Sequence, residues 1–183
     1  MNSDTARRLL PVLALLAFAP PGRAVVFASR EEALARLFPP PATVERRTHF
    51  LTAKQQEEAS RRAQTKVDSA LVVAYVGKKD GELLGTAFFD THMVRTMPET
   101  ICVFVLPDGS VGSVEVLSFG EPEDYLPRPG WLRFFEHRKL DSNLSVGRGL
   151  GNVTGATLTT RAIAAAVRRV LAIHAVLTGG GQS

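Results

Sequence analysis

The chain has 183 residues but a single cysteine, one tryptophan and two tyrosines, and these scarcities narrow the field. One thiol cannot build a disulfide framework, and Cys102, set inside Ile101-Cys102-Val103-Phe104-Val105, reads as a buried, inert side chain. There is no C-x-x-C and no H-E-x-x-H. His49, His92, His137 and His174 form no close pair with ligand spacing, so no metal centre is expected. A G-x-S-x-G elbow is missing, and with it the usual signal of a serine hydrolase. The glycines of 147–155 lack both the lysine of a P-loop and the βαβ placement of a dinucleotide fingerprint. No lysine-rich tail or block of stacking aromatics accompanies the formal charge of +4, which excludes nucleic acid as a partner. Charges instead alternate in sign, as in Glu57-Glu58 ahead of Arg61-Arg62, the pattern of solvated faces.

What is present is an ordinary globular composition, 45% hydrophobic and 22% charged, enough for one domain with a core. The amino terminus stands apart. Arg7 and Arg8 precede an apolar run at 9–18, then Pro20-Pro21-Gly22 and small residues suited to cleavage after Ala24 or Ala28. That is the layout of a secretory signal peptide over residues 1–24, the apolar run being shorter than the roughly 20 residues a spanning helix needs. Losing it removes Arg7, Arg8 and Arg23 against Asp4, so the formal charge falls from +4 to +2. No spanning helix is expected beyond it.

Residues 29–66 read as an N-terminal helical segment. Ser29-Arg30-Glu31-Glu32 and Thr52-Ala53-Lys54-Gln55 both match the capping box, in which hydroxyl and carboxylate or amide satisfy each other's backbone donors. Pro39-Pro40-Pro41 ends the first helix. From residue 67 the period changes. Two extended runs flank Asp80-Gly81, and two more flank Asp108-Gly109, predicting two hairpins. In the last run Val114, Val116 and Ser118 alternate with Glu115 and Leu117. An aromatic connection with Trp131, Phe134 and Phe135 follows, then the glycine loop, then a helix over about 158–177 whose apolar residues recur at three- and four-residue spacings. The tail 179–183 is read as frayed. The fold class is α+β: an antiparallel sheet of two hairpins, a long C-terminal helix packed on it, and short N-terminal helices.

Chemistry concentrates in Thr154-Gly155-Ala156-Thr157-Leu158-Thr159. A helix N-terminus presents unpaired N–H groups and the positive end of the macrodipole, so an anion placed there is held without a special side chain. Thr157 belongs at or near the N-cap, which is equally the ordinary position of a capping threonine. The segment resembles the flavinylation motif of the FMN-binding domain family, exported domains found in Rnf and sodium-pumping NADH:quinone oxidoreductase complexes. The similarity extends over 69–177 in the order of hairpins, aromatic connection, motif and helix. The resemblance implies FMN esterified through its phosphate to Thr157 by a flavin transferase, with Thr154, Gly155, Ala156, Leu158 and Thr159 around it. On charge alone, Arg148 or Arg161 is a candidate to add a charge-assisted contact to such a phosphate. Residues 67–178 then form the FMN-binding domain. Where the family carries a leading acid, this chain has Gly151.

The resemblance further implies an extracytoplasmic electron carrier that meets a redox protein or a membrane electron-transfer complex. A cofactor-free binding or assembly module and a reductase with reversibly bound FMN are the alternatives. His92 and Arg95, in Asp90-Thr91-His92-Met93-Val94-Arg95, are candidates for contacts to the flavin, or for a structural network around Asp90. Glu121-Pro122-Glu123-Asp124-Tyr125 is either a partner-facing or a solvated loop, and Trp131, Phe134 and Phe135 either stack on a flavin or fill the core.

Overall fold

The computed structural model describes residues 24–128 and 130–179. The expected leader, apart from its last residue, and the tail beyond Gly179 lie outside the described residues. The chain forms one antiparallel sheet with helices on both faces. Its strands are β1 (Val25–Val26), β2 (Thr43–Phe50), β3 (Leu71–Lys79), β4 (Glu82–Met93), β5 (Pro98–Val105) and β6 (Val111–Phe119), and its helices are α1 (Arg30–Leu37), α2 (Ala53–Ala63) and α3 (Thr157–Gly179). The spatial order is β1-β6-β5-β4-β3-β2. The two expected hairpins are thus one meander, extended by an edge strand on each side.

β2 corrects the helical reading of 29–66. Both capping boxes form as expected, around Ser29 and Thr52, but a strand lies between the helices they start. Thr43-Val44-Glu45-Arg46-Arg47-Thr48-His49-Phe50 is exposed along almost its whole length and so lacks the polar-apolar alternation that betrays a half-buried strand. Eight consecutive pairs to β3, from Thr43 opposite Lys78 to Phe50 opposite Leu71, hold it in place.

α1 carries the chain from one edge of the sheet to the other across one face. There Ala33 and Phe38 pack with Tyr75, Ala87, Cys102 and Leu117. Gly77 admits the Phe38 ring: a Cβ at that position would lie 2.0 Å from Phe38 Cε1, closer than any packing allows. Burial pushes the Cys102 thiol up to about 12, leaving it protonated and unreactive.

The larger core lies on the other face. Ile101, Val103 and Val105 of β5 meet Ile163, Val167, Val170 and Leu171 of α3. In β6 the alternation read from sequence is broken, because the register slips between Thr100 and Ile101 and again between Phe104 and Val105. Leu117 keeps to the α1 side with Glu115, but the extra residue puts Ser118 opposite Thr100 and Phe119 opposite Glu99, where simple alternation puts Ser118 in line with Val116.

α3 is long and apolar enough to cross a bilayer by composition, contrary to the expectation that no such helix follows the leader, but half of that stretch is buried within the protein. One charge on it is fully engaged. Arg168, buried, donates from Nε to the Ala63 carbonyl at 2.7 Å and from Nη1 to the carbonyls of Asp141 at 2.5 Å and Leu144 at 3.3 Å. It ties α3 to the end of α2 and to the loop before the glycine segment.

Candidate functional site

The N-terminus of α3 lies at the end of the sheet where β4 stops and β5 begins. Gly155, at φ +88°, takes the left-handed conformation that costs a side-chain-bearing residue about 1–2 kcal/mol, and it turns the chain into the helix. Thr157 is the first helical residue, one place inside the expected cap. Its Oγ1 donates to the Val153 carbonyl at 3.3 Å, and Thr160 N–H makes the first bond of the helix, to Ala156 at 2.9 Å. The amides of Thr157, Leu158 and Thr159 precede that bond and so have no intrahelical carbonyl. No acidic residue occupies the first turn.

Facing these amides is Arg95. A cavity of about 250 Å³ is lined by Arg95, Tyr125, Gly155, Thr157, Leu158 and Thr159. The guanidinium lies 4.7 Å from the centroid of the Tyr125 ring, a cation–π contact that orients it without neutralising its charge. The turn carrying Arg95 is fixed from below. Glu121 accepts from Thr96 N–H at 2.7 Å, Thr96 Oγ1 at 3.2 Å and Met97 N–H at 3.0 Å. Those backbone donors hold its carboxyl below the usual range. Within the acidic run, then, Glu121 is a buried clamp, and Tyr125 supplies a wall of the cavity.

His92 belongs to a different arrangement. Its Nδ1 meets Asp90 Oδ1 at 2.9 Å and its Nε2 meets Glu99 Oε2 at 3.0 Å, while Arg169 of α3 grips Asp90 through Nε at 3.0 Å and Nη2 at 2.8 Å. Burial pulls the imidazole pKa down, but the two carboxylates outweigh it and push it up to about 9, so both ring nitrogens carry protons at neutral pH. Burial raises Glu99, only partly offset by His92. Asp90, though also buried, is held below its ordinary value by His92 and Arg169. Glu99 Oε1 is buried without a partner among the described residues.

Asp90, His92 and Arg169 of this chain border a cavity of about 450 Å³. The cavity opens where β3 and β4 splay apart beyond the pair Ala74–Phe88. Its polar floor is largely consumed by its own ion pairs. The structural network foreseen around Asp90 is therefore present, and it includes Glu99 and Arg169, which sequence reasoning did not single out.

The remaining candidates separate. Thr159 and Ala156 are buried, Thr154 is exposed, and Leu158 is 48% exposed beside Thr157. Arg161 faces another cavity, with Ala63 and Arg168, and Arg148 does not line the Thr157 cavity; Arg95 holds the position expected for one of them. Trp131 and Phe135 are core, edge to face at 5.3 Å, while Phe134 is exposed. Trp131 Nε1 donates to the Gly151 carbonyl at 2.8 Å, anchoring the glycine loop. A Cβ at Gly151 would meet nothing closer than Phe134 Cε2 at 3.8 Å. Among the described residues no group of three or more His, Cys, Asp or Glu gathers as a metal site.

The residues at the head of α3 suit a phosphate monoester or diester: amides without an intrahelical carbonyl, a guanidinium with no ion pair among the described residues and a half-buried hydroxyl come from the residues that line one cavity. At about 250 Å³ the cavity falls short of the roughly 300 Å³ at which small-molecule pockets begin. That is room for a group the size of a phosphate, with Tyr125 and Leu158 at its edge. Compared with known proteins, the chain matches no family model and no curated protein.

Proposed function

We propose that the protein is an exported electron carrier whose FMN is esterified through its phosphate to Thr157. The observation that carries this reading is the shared cavity of Arg95 and Thr157, which joins the motif at 154–159 to a cation far away in the chain. When bound, FMN supplies one- and two-electron transfer. The chain's own residues hold and position it. Thr157 Oγ would accept the flavin phosphate from an activated phosphoanhydride donor brought by the transferase: the Oγ–P bond would replace the donor's anhydride P–O bond, the rest of the donor would leave as a phosphate-terminated fragment, and Oγ would give up its proton and its hydrogen bond to Val153. The amides of Thr157, Leu158 and Thr159 and the Arg95 guanidinium offset the remaining phosphate charge. Tyr125 and Leu158, at the edge of the cavity, would offer an apolar surface to the ring. Asp90, itself held by Arg169, and Glu99 lock His92 on the inner face of β4, so His92 supports the scaffold below Arg95 and has no free nitrogen to offer a flavin.

A dedicated flavin transferase acts as maturation partner in this reading, and a redox protein or membrane complex exchanges the electrons outside the cytoplasm. Gly151, in place of an acid, favours a second reading in which the threonines cap a helix in a cofactor-free module. Intact mass and visible absorbance after denaturation, on protein produced with a flavin transferase and exported, distinguish them. A mass gain of one FMN with flavin colour, lost in Thr157→Ala while the circular dichroism is unchanged, is the expected result. Flavin that survives denaturation in Thr157→Ala, or an unmodified colourless protein, rejects the Thr157 ester.

A further inference from the structure

The opposite end of the sheet bears a separate cavity of about 390 Å³, framed by the β3–β4 and β5–β6 turns and the last turns of α3. That volume lies within the range of small-molecule sites. Arg47 and His49 of β2 stand opposite Ala74 and Val72 in the register, on the sheet face that α3 covers. Here the positions are polar and line the cavity together with Lys78 and His174, over an apolar wall that includes Val76, Phe88 and Leu177.

These polar groups are not consumed by one another. Lys78 and His174 enter hydrogen bonds through their backbone carbonyls, accepting from Thr43 and Thr178. The Lys78 ammonium and the imidazoles of His49 and His174 take part in no ion pair or side-chain hydrogen bond among the described residues. The other charges at the rim are matched. Arg47 donates to Glu45 at 2.9 and 2.7 Å, and Asp108 accepts from Ser110 N–H and Oγ and pairs with Lys139 at 3.3 Å. The Lys78 ammonium, which feels the paired Glu45 only at longer range, is the lining cation without an ion pair among the described residues. The carbonyl end of α3 opposes it with about half a charge at most.

We propose that this cavity binds an amphipathic monoanion, an organic carboxylate or sulfonate with an apolar body, whose charged end meets Lys78, His49 and His174 and whose body lies on Val76, Phe88 and Leu177. Burial holds His174 below the ordinary histidine value, so it meets the ligand as a neutral donor or acceptor. The site is independent of Thr157. Seventeen residues of α3 separate Thr157 from His174, about 26 Å along a helix axis, which one FMN tethered at Thr157 does not bridge.

The test titrates the full chain with 1-anilinonaphthalene-8-sulfonate, read by fluorescence, with decanoate and decan-1-ol as competitors. Saturable binding at one site, displaced by decanoate and far less by the alcohol, is expected. Lys78→Met, which keeps the apolar stem, weakens binding about tenfold or more, as loss of a charge-assisted contact should. Leu177→Trp, which fills the cavity, abolishes binding, and Thr157→Ala leaves it unchanged. Equal displacement by acid and alcohol, affinity indifferent to Lys78→Met and Leu177→Trp, or no saturable binding at millimolar probe overturns the proposal. None of these outcomes bears on the flavin reading, because the probe needs no flavin.

Discussion

Arg95 and Thr157 line one cavity, brought together because the β4–β5 turn and the head of α3 end at the same side of the sheet. If that cavity is built for a phosphate, inorganic phosphate should report on it before any flavin is attached. In the unflavinylated protein, phosphate is expected to shift the amide resonances of Thr157, Leu158 and Thr159. In Arg95→Gln, saturation should need about tenfold more phosphate, the usual worth of one charge-assisted contact. Unchanged saturation would remove Arg95 from the site.

Gly151 stands where the resembled motif carries an acid, and the structure leaves room for one. Its φ is not in the left-handed region, and a Cβ makes only an ordinary contact with Phe134. Gly151→Asp is therefore expected to change stability by no more than about 0.5 kcal/mol, while raising the fraction of chains that carry FMN when the transferase is present. Mass spectrometry gives that fraction directly. A lower fraction would mean that the acid has no part in recognition here.

The His92 network gives a pH dependence whose sign is fixed. Its folded pKa, about 9, lies above the ordinary value near 6.5. The protonated imidazole stabilises the fold fully below pH 6.5, and that stabilisation is lost as pH rises through 9. Urea unfolding between pH 6 and 9.5 should show stability falling by at most about 3 kcal/mol across this interval. In His92→Gln the decline should vanish, with Asp90 still gripped by Arg169.

Arg168 should be the costliest single charge to remove. Arg168→Met keeps the stem but strips donors from the buried carbonyls of Ala63 and Leu144. Leaving such acceptors unpaired costs roughly 2–4 kcal/mol, which thermal denaturation would resolve as a clear drop in Tm. Arg161→Met, on the same helix, should change stability by less than about 0.5 kcal/mol. Similar losses for both variants would contradict the role of Arg168 as the tie between α3 and α2.

Much of this architecture is legible in the residues. Asp80-Gly81 and Asp108-Gly109 announce the turns because both sit where a positive φ is needed, and the Ser29 and Thr52 caps form the reciprocal bonds their spacing predicts. What stayed hidden depends on partners distant in sequence. β2 has no period to read, since neither of its faces is packed along most of its length. Arg168 looks like one more solvent-facing arginine until α2 and the 141–144 loop close over it. Glu99, next to Thr100, resembles a strand-end polar residue, and only the β4–β5 register sets it against His92. The site divided in the same way: Thr157 is visible in a local motif, whereas Arg95 became its neighbour through topology.

The placement of α1 has a consequence for how a ligand could reach this domain. With Phe38 seated over Gly77 on one broad face and α2 and α3 spread over the other, the sheet surface left uncovered among the described residues is mainly the edge strand β2. Apart from the exposed edge strand β2, the cavities at the head of α3 and beside its last turns lie at the two ends of the strands. A small ligand would therefore enter end-on, along the strand direction, and the two ends are chemically unlike: one has a guanidinium and a threonine hydroxyl at the head of a helix, the other is a half-apolar recess with an ammonium at its rim. The protein is polar in the geometric sense, with distinguishable poles, and whatever docks at one pole leaves the other free.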